Sequence, residues 1–255
     1  MKRITFFILV FVMFGLVSLA HADSEKFEAE ARYWFTDLES KASVTSSGVA
    51  GTDIDLKDDL GIGDENLPEA RLIWHTGPNS KIRFAYTQVG YSGSKDIEQT
   101  ITFEGKTYTV GTNVESDLDI QYLRLGWAWQ FINLAQDKIK LGTLVDVKAL
   151  MLETSLDAPS LGFSESADFT GALPTVGLIL DVNPVEKVNL FAEVSGLVAG
   201  DYGYFIDAET GIKVTPLKNF SVSAGYRIFD MKFENDPDYA ELTISGPFIS
   251  GSIKF

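Results

Sequence analysis

Ile249-Ser250-Gly251-Ser252-Ile253-Lys254-Phe255 ends the chain, with apolar side chains at odd positions, Ser or Lys at even ones, and an aromatic residue last. A helix would spread these residues around its circumference, whereas an extended strand sorts them onto two opposite faces. One face suits hydrocarbon and the other suits water. A sheet of such strands can cross a membrane only if it closes on itself, because an open edge leaves backbone N–H and C=O groups without partners in lipid.

The same alternation recurs upstream. Phe220, Val222, Ala224, Tyr226 and Ile228 oppose Ser221, Ser223, Gly225 and Arg227, and Ile206, Ala208, Ile212 and Val214 oppose Asp207, Glu209 and Lys213. Val188, Leu190, Ala192 and Val194 oppose Phe191 and Glu193, while Val176, Leu178 and Leu180 share the outer face of a strand over residues 174–182. Leu141, Val145, Val147 and Met151 stand against Lys140, Asp146 and Lys148. Ala70, Leu72 and Trp74 pair in a hairpin with Ile82, Phe84 and Tyr86, which turns Glu69, Arg71 and Arg83 inward. In the first strand Phe27, Ala29, Ala31, Tyr33 and Phe35 face lipid, and Glu28, Glu30 and Arg32 face the lumen. Parity changes in two places: between Leu118, Ile120, Tyr122 and Leu125, Trp127, Trp129, and between Leu242, Ile244 and Ile249, Ile253, Phe255. A β-bulge is expected at each, near residues 121–123 and at Gly246-Pro247.

These segments make an all-β, closed antiparallel transmembrane barrel of ten strands, with eight as the alternative if the short pair around Asp201 is miscounted or residues 93–114 hold an extra hairpin. Short turns fall at 76–81, 131–138, 183–187 and 215–219, and longer loops at 39–67, 93–114, 154–169, 199–203 and 234–239. Trp74, Trp127, Trp129, Phe220 and Phe255 gather near the short-turn end, as an interfacial aromatic girdle would.

At the other terminus Lys2 and Arg3 precede an apolar stretch over residues 4–19, and Ala20-His21-Ala22 forms a small-x-small cleavage site. This is the pattern of a secretory signal peptide, so residues 1–22 are expected to be removed and residues 23–255 to form one barrel domain. Loss of Lys2 and Arg3 takes the formal charge from −15 to −17. Such acidity disfavours nucleic acid, whose phosphates require Lys and Arg. The absence of cysteine excludes disulfides, thiolate metal sites and a lipid anchor on Cys.

With Ala20-His21-Ala22 and the terminal strand in view, the chain resembles the small outer-membrane β-barrel proteins of Gram-negative bacteria. Ile249, Ile253 and Phe255 are similar to the terminal signal that the barrel assembly machinery reads, with Gly251 departing from the usual bulky residue. Gly225-Tyr226-Arg227 and Gly246-Pro247-Phe248 look like the closing strands of such proteins. The resemblance implies export to the outer membrane, contact with its lipid and lipopolysaccharide, the assembly machinery as a partner during biogenesis, and a monomer.

The candidate site is the lumen: Glu28, Glu30, Arg32, Glu69, Arg71, Arg83, Arg124, Lys140, Asp146, Lys148, Glu193, Asp207, Glu209, Lys213 and Arg227. Charges of both signs can pair and fill a narrow cylinder, while a narrow pore is the rival arrangement. Asp53, Asp55, Asp58 and Asp59 in the long acidic loop are weak candidates for a divalent cation, since their spacing does not match an EF-hand, and no cofactor is expected. Asp117 with Asp119 and Asp207 with Glu209 are expected to share the lumen face by their spacing alone. His75 is placed at the lumen mouth of the short-turn end, and no nucleophile motif accompanies it. The leading expectation is a non-enzymatic barrel with a structural or narrow passive-permeation role. Surface recognition through the long loops comes next, and a barrel enzyme last.

Overall fold

A computed structural model describes residues 26–43, 51–235 and 238–255, so the expected signal peptide, residues 1–22, lies outside the described residues. The strands are β1 (Phe27–Trp34), β2 (Asp37–Ser43), β3 (Ile54–Asp55), β4 (Leu67–Gly77), β5 (Ser80–Asp96), β6 (Ile101–Phe103) and β7 (Lys106–Tyr108). They continue with β8 (Asn113–Leu134), β9 (Ile139–Ala158), β10 (Phe163–Val185), β11 (Val188–Val198), β12 (Gly203–Leu217), β13 (Phe220–Asn235) and β14 (Asp238–Lys254). Antiparallel pairing runs β1-β4-β5-β8-β9-β10-β11-β12-β13-β14 and returns to β1. Trp34 opposes Phe248 and Asp37 opposes Ser245 in one register, so β2 continues β1 past a break at Phe35 and Thr36, and the barrel has ten staves. Reciprocal bonds join its ends: the Phe27 N–H donates to the Phe255 carbonyl at 2.9 Å, and the Phe255 N–H to the Phe27 carbonyl at 2.8 Å.

Around the middle of the barrel the outward positions are apolar and exposed, among them Tyr33, Leu72, Phe84, Leu125, Val147, Val176 and Ile228. Most of them have a buried, charged inward neighbour, as with Arg32, Arg71, Arg83, Arg124, Asp146 and Arg227. A closed ladder with this outer surface is stable in hydrocarbon and would present an aggregating surface in water. At the short-turn end aromatic rings gather in two clusters. Trp127 stacks on Trp129 at 6.0 Å, and Phe27 lies between Trp74 and Phe255, each 6.1 Å away.

Neither expected bulge exists. Pairing of β8 with β5 runs unbroken from Asn113 to Trp129, and that of β13 with β14 is unbroken from Phe220 to Asn235. In β8 the even positions stay inside throughout, as Leu118, Ile120, Tyr122 and Arg124 all do. What changes is the medium outside. Below Tyr122 lipid-facing Leu125 and Trp127 surround a polar lumen, and above it water-facing Glu115, Asp117 and Asp119 surround an apolar one. Asp117 and Asp119 therefore point away from the lumen, contrary to the spacing argument. β14 behaves alike, with Leu242, Ile244 and Phe248 inside above Ser250 and Ser252. Gly246 is needed for close approach rather than a bulge, since a Cβ there would lie 1.8 Å from the Phe35 carbonyl oxygen.

Register irregularities among the described residues fall at the short turns, between His75 and Gly77, Gln130 and Ile132, Val182 and Val185, and Val214 and Leu217. At the other end, much of the stretches expected as loops at 93–114 and 154–169 is strand: β5 and β8 run on to Asp96 and Asn113, and β9 and β10 to Ala158 and Phe163. The β6–β7 hairpin sits beyond the barrel wall as a separate small sheet. Ile54, Leu60, Ile62, Ile97, Ile101, Phe103 and Tyr108 are buried in one cluster with Leu118 and Leu156, so the loops pack into the mouth.

Candidate functional site

At mid-height the lumen is crossed by a network of side chains from facing walls. Arg71 grips Glu209 with two parallel bonds of 3.0 and 2.7 Å, and Arg32 donates to the same carboxylate at 2.7 Å. Arg227 makes a second bidentate pair with Asp207 at 2.9 and 3.0 Å and reaches Glu69 at 2.8 Å. Asp207 also accepts from Lys148 at 3.0 Å and from the Tyr122 hydroxyl at 3.1 Å. Arg83 and Arg124 share Glu193, Arg71 also bonds Glu69, and Glu30 accepts from Arg32 at 3.1 Å. Asp146 sits against Gly126, with Arg83 at 3.8 Å and Lys148 at 3.9 Å.

Arg32, Arg71, Arg83, Arg124, Lys148 and Arg227 face Glu30, Glu69, Asp146, Glu193, Asp207 and Glu209, so six formal positive charges balance six negative ones. Buried charges are tolerable only when paired and multiply hydrogen-bonded, and guanidinium forks on carboxylates provide both. Aromatic rings cap the layer: Arg32 lies 3.8 Å from the Phe248 ring centre, Arg227 4.9 Å from Trp34, and Lys148 4.9 Å from Phe205. Asp146 is the exception to this pairing, since neither of its oxygens makes a hydrogen bond, but it too is walled in by Arg83 and Lys148, and the layer as a whole spans the lumen like a plug.

The remaining expected lumen residues stand apart, toward the short-turn end. Glu28 pairs with Lys213 and lies 3.2 Å from His75 Nε2, and Lys140 donates to Asn79 at 3.3 Å. His75 thus has a carboxylate partner but no nucleophile beside it. His75→Asn is expected to leave folding and any activity of the protein intact, because Asn keeps a polar partner for Glu28. Heat-modifiable gel mobility would check folding, and loss of a hydrolytic or acyl-transfer activity in the folded variant would contradict the assignment.

In the acidic loop Asp55 accepts from the N–H groups of Lys57 at 3.0 Å and Asp58 at 2.9 Å, and the Asp55 N–H donates to Asp59 at 2.8 Å. These carboxylates fold a turn, and the described residues contain no group of three or more ligands able to hold a metal. Lys57 lies between Asp37 at 2.6 Å and Asp64 at 2.8 Å, and these carboxylates, Asp37 first, hold its ammonium above the ordinary lysine range. Ile249 projects toward lipid, and Phe255 lies in the closing seam.

Tyr122, Ser195 and the aromatic cap escaped the sequence reading. Trp34 and Phe248 carry the parity of Arg32 and Ser250, so alternation places them inside. They were obscured because large aromatic residues in a membrane strand are taken to face lipid.

No protein-family model matches the sequence, and no curated protein matches it. Solved structures do. The outer membrane protease OmpT from Escherichia coli aligns with TM-score 0.62 at 9% identity, over 90% of this chain and 97% of that one. The translocator domain of autotransporter NalP from Neisseria meningitidis aligns at 0.45 and 12% identity, over 100% and 96%. Ail of Yersinia pestis aligns at 0.38 and 10%, over 88% and 99%. The first likeness establishes the fold, that of an outer-membrane β-barrel.

Proposed function

We propose that the protein is a non-enzymatic barrel of the outer membrane whose lumen is sealed, serving envelope structure rather than solute passage. The observation that carries this reading is the balanced, buried plug, in which each arginine is tied to a carboxylate from another strand or the same wall. Ions would have to break several charge-assisted bonds in a low-dielectric interior, then pass an apolar layer that gives them no solvation. The non-enzymatic half rests on the separation of histidine from the carboxylates gathered at the open end. The histidine of the mature chain, His75, is at the opposite end.

Refolded protein in planar bilayers is expected to be electrically silent, and Arg71→Ala or Arg83→Ala to introduce sporadic conductance by leaving gaps in the plug. Stable, ion-selective steps from the unaltered protein would refute the sealed reading.

A further inference from the structure

Above the plug, the barrel wall is incomplete. β10 pairs with β9 from Phe163 to Val182, but its other edge meets β11 only from Val176 onward, so residues 163–175 have no strand partner on that side among the described residues. β11 stops at Val198, and a single 3-10 turn over Gly200–Tyr202 leads into β12. Pro174 has no N–H to donate and suits such an edge. The gap opens at the lipid–water boundary, since outward residues change from Met151 to Glu153 on β9 and from Ile228 to Asp230 on β13 at this height.

Behind the gap lies a cavity of about 720 Å³, within the roughly 300–1,000 Å³ typical of sites for one small molecule. Its walls include Leu150, Leu152, Phe169, Leu197, Phe205 and Met231, and its floor is the Tyr122 and Lys148 side of the plug. Phe169 from the free edge and Phe233 from the opposite wall meet as a tilted ring pair, 6.2 Å between centres, and Gly171 gives the Phe169 ring room, since a Cβ there would lie 2.8 Å from it. The charged residues lining the cavity above the floor are Lys41 and Lys232 against Glu104, Asp168, Asp238 and Glu241. Lys232 is itself held by Glu234 at 2.8 Å and Glu241 at 3.0 Å.

We infer that this cavity is a binding site for one uncharged apolar molecule, an alkyl chain or small aromatic compound, admitted sideways at the membrane boundary between the free edge of β10 and the β11–β12 turn. Apolar walls supply the affinity, and the carboxylate excess at the mouth selects against anions such as fatty-acid carboxylates. This goes beyond the sealed-barrel reading and does not need it: a conducting barrel could still hold the ligand, and a silent one could lack it.

The test uses the full mature protein refolded in phospholipid vesicles, with the neutral fluorophore N-phenyl-1-naphthylamine as probe and protein-free vesicles as the partitioning control. Saturable binding of one probe per barrel is expected. At about pH 8, where a carboxyl group is ionised, 1-dodecanol should displace it at a concentration at least about tenfold lower than dodecanoate. Ala167→Trp and Leu197→Trp fill the cavity from different walls and should each weaken binding at least about tenfold while retaining heat-modifiable mobility. Should either variant fail to fold, the other and the competition in the unaltered protein still decide. No saturable signal above the vesicle control, equal or better displacement by dodecanoate, or undiminished binding by a folded filling variant would each overturn the site.

Discussion

Arg227→Met is expected to lower the stability of the folded barrel by about 3–5 kcal/mol, the cost of breaking a buried ion pair from one side. Arg227 is 1% exposed and holds Asp207 with two bonds and Glu69 with a third. Methionine fills much of the space but leaves Asp207 with Lys148, Tyr122 and a distant Arg124, and Glu69 with Arg71 and a more distant Arg32. Removing one carboxylate as well, in Glu69→Gln, restores five charges of each sign and should recover part of the loss, since the penalty comes from uncompensated charge more than from lost contacts. Lys213 is the comparison: it is itself partly exposed and its loss leaves the buried Glu28 with His75 at 3.2 Å, so Lys213→Met should cost less than Arg227→Met. Urea unfolding in lipid vesicles, followed by tryptophan fluorescence, reads all of these. Similar losses for Arg227→Met and Lys213→Met would mean that the plug does not stabilise the barrel.

The second large effect is expected at the seam. Deleting Phe255, or replacing it with Asp, should reduce the amount of folded protein in the outer membrane severalfold or more, whereas Asp58→Asn in the acidic loop should leave it near normal. Phe255 makes the reciprocal backbone bonds that join β14 to β1, and its ring stacks on Phe27. Deletion removes both bonds and one ring of the girdle. Aspartate would instead place a charge at the membrane interface. The same residue is the one proposed as the assembly signal, and timing separates the roles. A recognition defect lowers the rate at which nascent chains fold in cells but leaves purified chains able to refold, and a seam defect lowers both. Equal folded amounts for the Phe255 and Asp58 variants would remove both roles.

Much of the molecule was legible because membrane strands obey a simple rule. A period of two separates Arg227 from Tyr226 and Asp207 from Ile206 wherever lipid lies outside, so the sequence itself carries the faces of the staves and the charged lumen residues there. The rule misled where the barrel leaves the bilayer. There Leu118 and Asp119 exchange sides relative to the rule because outside becomes water and inside becomes a dry core. Read locally, that exchange looks like the one-residue slip of a bulge.

Alternation along the chain by itself determined a barrel class, its strand directions and which charged side chains point inward at mid-height. Each of these depends on residues one or two apart, and a strand's pleat fixes their relation without reference to the rest of the chain. Only the tertiary structure decided that Arg71 and Arg32 share Glu209, that Arg227 lies between Asp207 and Glu69, and that the edge of β10 is left open above a cavity. Those relations join residues as far apart as 177 positions. They follow from the register and closure of the whole barrel, which no short stretch of the chain specifies.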